Sequence, residues 1–346
     1  MKAALIREKR TALAEENSKI NPREQAERIG VSEGAMVASS CGEGTVRLKR
    51  ERSAQLCQWV EFGEVLSVSR NRAALLEVQG RYPKCQFFEG LGWMQGAPLD
   101  LRLNLSQWAE GFYVPADETR GASFQYFNGD GIAVHKLFFP PGRAPDAAWI
   151  NSQQHRNQKP DFEWTRSPGT GYSGDEAAEL DHEQFMKKWE TLGELHNFNR
   201  LLKQFCLSRL QAIRMAGEDH AQRLNREAAA RVLEEAARAE ICIELELDNG
   251  GLSQRYRGVL PRLESYGKWI NLLSDRFNLH LDESQINQVW RVAVPTKHGV
   301  VHVLEIFDKS DRPALRLIPA DGLQGKEPSA WKEIMQACEK LSIDDV

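Results

Sequence analysis

The sequence predicts an α+β protein of two tandem structural repeats, pseudo-two-fold related, each a large antiparallel β-sheet with flanking helices. Three observations carry this. The second half repeats the first at an offset of 178 residues: Leu99-Asp100-Leu101-Arg102-Leu103-Asn104-Leu105 aligns with Phe277-Asn278-Leu279-His280-Leu281-Asp282-Glu283, Gln107 with Gln285 and Gly121 with Gly299. Each half reads as helices followed by runs of period two, the pattern of a meander rather than of βαβ units. A chain of 346 residues is long enough for two domains or one pseudo-symmetric body. An offset near half the length marks one duplicated unit, far too long for a solenoid repeat. The expected organisation is a first repeat over 1–157, a linker over 158–182 and a second repeat over 183–346. Two similar halves packed together would create a cleft that neither has alone.

The elements follow in order. The stretch 1–57 reads as helical. Asn21-Pro22 starts a helix that Gly30 stops, and Ser32 opens a second short helix through Ala35 and Met36. Between 64 and 140 the period becomes two. Leu99, Leu101, Leu103 and Leu105 alternate with Asp100, Arg102 and Asn104, a half-buried strand. Further strands are expected over 111–115, 122–128 and 131–139, with Asn128-Gly129-Asp130-Gly131 as a hairpin turn. Pro140-Pro141-Gly142, Pro160 and Ser167-Pro168-Gly169-Thr170-Gly171 then break regular structure, apart from a short helix within 146–157. Helices return over 183–206, 207–217 and 225–240. Strands follow over 241–247, 252–260, 266–273, 276–282, 288–294, 299–307 and 312–319, and a last helix over 327–341.

Composition narrows the function classes. Hydrophobic residues at 41% against 27% charged residues give the balance of a soluble globular protein. The apolar runs are too short for a membrane span. The stretch Met1-Lys2-Ala3-Ala4-Leu5-Ile6-Arg7 is charged from the start and lacks the apolar core of a signal peptide, so a cytoplasmic location is expected. A net charge of −4 argues against nucleic acid as the main partner. The six cysteines form no CxxC pair and read as reduced thiols.

Few side chains point to chemistry by spacing alone. Over 191–205, helical periodicity puts Leu195, Phe198, Leu202 and Phe205 on one apolar stripe, with His196 and Asn199 on its border. Such a histidine faces the rim of a cleft, where it could ligate a metal or a haem iron; the default reading of the spacing alone is a satisfied edge residue. Arg102 and His280 project from the polar faces of equivalent strands, towards solvent or towards a polar pocket. The other histidines show no HxxxH or HxH pairing, which argues against zinc and non-haem iron. The segment from Glu24 to Val37 has the look of a helix-turn-helix. Its second helix offers Glu33, Ala35, Met36 and Val37, little to read bases and an acid to repel phosphate. There is no phosphate-binding glycine loop and no GxSxG elbow.

Several ordered segments together resemble a known family. They are Asn21-Pro22 with Ala26 to Ser32, Gly63-Glu64-Val65, Arg70-Asn71, Leu99-Asp100-Leu101-Arg102-Leu103 with Gln107-Trp108, and His196 with Phe198 and Leu201-Leu202-Lys203. Leu207-Ser208-Arg209, Trp269-Ile270-Asn271, Phe277-Asn278-Leu279-His280-Leu281 and Pro295-Thr296 complete the set. Over nearly its full length the chain resembles the haemin-degrading and haem-trafficking family (HemS/ChuS/PhuS/HmuS-like), as a divergent member. The resemblance implies a haem held between two similar halves. It implies His196 as the axial iron ligand, Arg102 as the catalytic distal arginine that holds a water or oxygen species, and Arg209 as a basic residue near the haem edge. Where the family pattern places two pocket phenylalanines, this chain has Asn104 and Asn199. Where it places a Lys and a Tyr–Arg pair near the propionates, this chain has Val294, Ile318 and Asp321, with Arg316, Lys297 and Arg291 as the basic residues at hand.

The function so implied is a cytoplasmic haem-binding protein. It would degrade imported haem by oxygenase-like ring opening, releasing iron, with electrons from an external donor such as NAD(P)H or ascorbate, or it would traffic haem. The alternatives are a non-enzymatic haem chaperone delivering to a separate haem oxygenase, a helix-turn-helix regulator, or a member that has lost haem. The expected partners are haem, the cytoplasmic face of a haem importer, or that oxygenase.

Overall fold

Local signals at the start of the chain do what their chemistry requires. In a computed structural model describing residues 1–17, 20–164, 181–324 and 326–338, three helices open the chain, α1 (Ala3–Glu16), α2 (Pro22–Ile29) and α3 (Glu33–Ala38). The Asn21 side chain accepts from the Glu24 N–H at 3.0 Å, and Pro22 fills a position whose N–H would have no partner. Gly30, at φ +81°, ends α2 in the left-handed conformation, and Ser32 caps α3 through the Ala35 N–H at 3.2 Å. The stretch expected to be helical up to residue 57 also contains β1 (Val46–Arg47), before α4 (Arg52–Cys57).

The strands of the first repeat are β2 (Glu64–Arg70), β3 (Ala74–Arg81), β4 (Cys85–Phe88), β5 (Leu91–Met94), β6 (Asp100–Asn104), β7 (Glu110–Val114), β8 (Ser123–Phe127) and β9 (Ala133–Phe138), followed by α5 (Ala147–Ser152). The second repeat opens with α6 (His182–Glu190), α7 (Asn197–Gln204), α8 (Arg209–Ala216), β10 (Ala221–Leu224) and α9 (Ala228–Arg238). It continues through β11 (Cys242–Asp248), β12 (Leu252–Val259), β13 (Leu263–Tyr266), β14 (Trp269–Leu273), β15 (Phe277–Asp282), β16 (Ile286–Thr296), β17 (Gly299–Asp308), β18 (Pro313–Pro319) and α10 (Ser329–Ala337). The strands β2, β3, β4 and β5 begin 178 residues before β11, β12, β13 and β14, so the offset seen in the sequence is also an offset of structure.

Two expectations change. The strand expected over 266–273 is a hairpin: β13 and β14 pair from Leu263↔Leu272 to Tyr266↔Trp269 around Gly267, at φ +58°. A glycine in an otherwise period-two run is where a tight turn costs least. The helix expected over 183–206 breaks between α6 and α7, where Gly193 sits at φ +71°. β10 went unforeseen because four residues with one apolar end carry almost no periodicity.

Strand order is β1-β7-β8-β9-β2-β3-β15-β14-β13 in one sheet and β10-β16-β17-β18-β11-β12-β6-β5-β4 in the other. The sheets therefore do not follow the repeats strand for strand. Two compact units divide the chain, and each takes a short segment from the opposite repeat: Gly250–Ser253 belongs to the unit of the first repeat, Asn71–Leu76 to that of the second. Within the first unit the Asn104 N–H donates to the Gly251 carbonyl at 2.9 Å; within the second, the Asp282 N–H donates to the Ala73 carbonyl at 2.8 Å. These are the same bond at the repeat offset.

In the first unit α3 is packed rather than presented. Glu33, Gly34, Met36, Val37 and Ala38 are buried, and Glu33 pairs with Lys136. A helix so covered cannot enter a major groove, which removes the helix-turn-helix reading. Gly34 is required there: a Cβ would come within 2.6 Å of the Trp164 ring and 3.0 Å of Phe127. Gly34→Ala is expected to lower stability by about 1–3 kcal/mol, the usual cost of overpacking, measured by guanidinium denaturation. The early part of the expected linker lies against the same unit. The Arg47 guanidinium stacks on the Phe162 ring at 3.7 Å, and the Gln158 side chain bonds both the N–H and the carbonyl of Arg47 at 2.9 Å. Residues 165–180 of that linker lie outside the described residues.

In the second unit Phe185, Trp189 and Phe198 pack with Leu210 and Ile213 onto Val292, Val294, Val303 and Ile318 of the sheet. Among the described residues no helix is long and apolar enough to cross a membrane. All six cysteines are free thiols.

Candidate functional site

His196 is the residue immediately before α7, not a residue on the face of a continuous helix. The chain leaves α6 at Thr191, turns at Gly193 and re-enters helix at Asn197, whose side-chain amide holds the turn by donating to the Leu192 carbonyl at 2.7 Å. The turn is clipped to the β16–β17 connection: the Lys297 N–H donates to the Gly193 carbonyl at 2.9 Å. The His196 side chain is 58% exposed, and its Nδ1 lies 3.1 Å from Glu194 Oε2. Glu194 Oε1 in turn receives the Lys297 ammonium at 2.9 Å. That hydrogen bond and the Lys297 charge hold the Glu194 carboxyl below its ordinary range. His196 Nε2 makes no hydrogen bond to any described residue.

Beside this turn lies a shallow depression lined by Leu195, Phe198, Val294 and Ile318, with Arg209 and Glu305 at its edge. Arg209 is fully employed. Its Nε and Nη2 bind the Glu305 carboxylate at 2.8–2.9 Å, its Nη1 donates to Asn199 Oδ1 at 3.1 Å, and its guanidinium lies 4.4 Å from the Phe198 ring centre. Such a fork is rigid and already neutralised. Val294 and Ile318 are buried and form apolar floor, and Asp321 is exposed. Of the basic residues at hand, Lys297 is bound to Glu194 and Arg316 to Glu246.

Arg102 and Asn104 lie on β6 of the first unit. Arg102 is half-buried, cross-strand from Trp93. Asn104 spends its amide locally, donating to the Gly250 carbonyl at 3.3 Å and accepting from Ser106 at 2.7 Å. The repeat mates of Trp93 and Arg102 are Asn271 and His280, and there the His280 Nδ1 is bonded to Asn271 Oδ1 at 2.7 Å.

One polar group escaped sequence reasoning. His135 on β9 is 1% exposed, with Nδ1 2.9 Å from Ser69 Oγ and Nε2 2.7 Å from Tyr82 Oη. Its ring stacks on Trp59 at 5.6 Å. Burial pushes its pKa down to about 3, so the ring is neutral at physiological pH. Its partners are Ser69 of β2 and Tyr82 just after β3, and no local spacing could have announced them.

Comparison with known proteins supplies the family. A family model described as the haemin-degrading HemS.ChuX domain matches residues 30–155 and 206–338, one segment in each repeat. Hemin transport protein HmuS of Yersinia pestis is 30% identical over 342 residues, covering 96% of each chain. Holo-PhuS, a heme-binding protein from Pseudomonas aeruginosa, is 29% identical, with a TM-score of 0.88 over 98% of this chain and 99% of that one. ChuS of Escherichia coli O157:H7, at 24% identity and a TM-score of 0.86 over 98% of this chain and 99% of that one, shares the fold. The match in both repeats and along nearly the whole length shows that this chain belongs to the haemin-degrading HemS/ChuX family.

Proposed function

We propose that the chain binds haem through His196 and commits it to ring opening with an external electron donor. The observation that carries this reading is the state of the His196 imidazole: Nδ1 lies 3.1 Å from a carboxylate oxygen, Nε2 bonds no described residue, and the neighbouring residues Leu195 and Phe198 line an apolar depression. One imidazole would suit an iron whose in-plane ligands a porphyrin supplies, and apolar walls would suit the porphyrin face. Among the described residues no three His, Cys, Asp or Glu side chains gather to hold a bare metal ion.

When bound, haem supplies the redox iron and the oxidisable ring. The chain's own residues then have separate tasks. His196 binds and orients, and Phe198 offers an aromatic surface. Arg209, tied to Glu305 and Asn199, adds no loose charge. Arg102 would be a hydrogen-bond donor towards the haem, a role that rests on the family resemblance alone. Electrons would come from ascorbate or NAD(P)H. The transport name of the Yersinia pestis relative supports a role in moving haem. A second reading, hand-over to a separate oxygenase, is favoured by the exposure of the His196 side chain, since a ligand reachable from solvent can be exchanged.

Haem titration of the purified protein tests the proposal. Wild type should show a saturable Soret shift at micromolar haem, and His196→Ala should lose it or need at least ~100-fold more haem. A normal Soret band in His196→Ala would sink the ligand assignment. Adding ascorbate to the loaded protein should bleach the band, more slowly in Arg102→Ala; a stable band selects the carrier.

A further inference from the structure

We infer that Glu194, anchored by Lys297, is a positioning residue for His196: it fixes the ring tautomer and direction so that Nε2 is the nitrogen offered to iron. The inference rests on the ligand role proposed above and adds the group that sets its geometry. Which nitrogen of a histidine is available is decided by the hydrogen bond the other one makes. Here Nδ1 lies 3.1 Å from a carboxylate oxygen, an ion-pair contact rather than an aligned hydrogen bond, and an acceptor that close favours the neutral ring with its proton on Nδ1. Nothing else in the described structure bonds the ring.

Glu194 is itself held from two sides. Its other carboxylate oxygen takes the Lys297 ammonium at 2.9 Å. The backbone next to it is tied where the Gly193 carbonyl receives the Lys297 N–H and where Gly193 bridges Thr296. One residue of the β16–β17 turn thus grips both the main chain and the side chain that aim the imidazole. Gly193 at φ +71° lets the chain turn tightly enough for Glu194 to fold back on His196. As a surface ion pair the contact contributes little to stability, so a purely structural role predicts almost no effect beyond folding. Orientation of a metal-binding imidazole is a separate quantity, and removing the carboxylate behind such a ring typically weakens metal affinity 10–100-fold.

Two measurements test this. In the haem-free protein, long-range proton–nitrogen NMR reads which ring nitrogen of His196 carries hydrogen. Wild type should show the Nδ1–H tautomer, Glu194→Ala should shift it towards Nε2–H, and Glu194→Gln, which keeps an acceptor oxygen, should restore part of it. In the loaded protein, Glu194→Ala should bind haem about 10–100-fold more weakly, lower the iron–histidine stretching frequency and raise the iron midpoint potential, with Lys297→Ala weakening haem binding in the same direction. An unchanged tautomer in Glu194→Ala, or haem affinity and iron–histidine frequency equal to wild type, would overturn the inference. The tautomer measurement needs no haem. Failure of wild type to take up haem would therefore count against the proposed function, while the ring result still decides the positioning.

Discussion

Glu110→Ala is expected to cost about 3–5 kcal/mol of unfolding free energy, the usual range when one partner of a buried ion pair is removed. Glu110 on β7 is fully buried and accepts both Nε and Nη2 of Arg47 at 2.8 Å, with Arg47 only 5% exposed. Arg50 adds a third bond at 2.5 Å from a half-exposed position. Removing the carboxylate leaves the Arg47 guanidinium buried with its charge unanswered, and desolvation then works against folding. Nearby, Phe162 and Gln158 cover Arg47, so water cannot take the place of the lost acceptor without displacing them. Guanidinium denaturation measures the effect. The control is Glu27→Ala in the exposed Arg23–Glu27 pair, which should change stability by less than about 1 kcal/mol. Equal losses from both substitutions would show that burial is not what gives the Arg47–Glu110 pair its weight. The repeat-equivalent residue is Gln288, buried and bonded to Asp311 by its amide, so the second unit fills this place without a buried carboxylate.

Acid should weaken the fold through His135 before it reaches the carboxylates. With a folded pKa near 3 against about 6.5 unfolded, the folded ring stays neutral where the unfolded one binds a proton. Stability from this group is therefore complete above about pH 6.5 and falls as the pH drops towards 3, at about 1.4 kcal/mol per unit once below the unfolded value. At pH 5 the loss is about 2 kcal/mol. Glu33 and Glu110, whose carboxyls are held low by Lys136 and by Arg47 with Arg50, lose their contribution only below the ordinary carboxylate range. The window between pH 6.5 and pH 5 accordingly isolates the histidine. His135→Gln should be less stable at pH 7, because Ser69 and Tyr82 lose a fitted partner, yet show a flatter decline to pH 5. If wild type and variant decline in parallel across that window, His135 is not the group responsible.

Much of the fold was legible because it is local. Asn21, Pro22, Gly30 and Ser32 carry their own instructions, and the alternation from Leu99 to Leu105 declares a half-buried strand without reference to anything distant. The misreadings sit where a local signal had a competitor. Apolar residues on both sides of Gly267 concealed a hairpin, and helical periodicity across Gly193 concealed a break. Strand adjacency was not legible, since nothing near β6 announces that its backbone bonds Gly251. The candidate site divides in the same way. Position on an apolar stripe left His196 with two readings, and the resemblance of ordered segments supports the ligand reading that is proposed. The Lys297–Glu194–His196 line joins residues 103 positions apart, and the His135 pocket joins β9 to residues some 50–70 positions earlier. Contacts of that reach appear only once the chain is folded.

The reciprocal loan of segments between the repeats sets an order in time. As the chain emerges from the ribosome, the first repeat is complete in sequence at residue 157, yet its unit lacks Gly250–Ser253, and with it the carbonyl that Asn104 and the Trp108 indole both use. At the usual pace of synthesis that wait is on the order of 5–20 s. The second unit meets no such delay, because Asn71–Leu76 was made long before. During that interval the β6 edge is open to the wrong strand, and the first unit, although it waits, still has all its residues before the second, which awaits the chain from Gln254 onward.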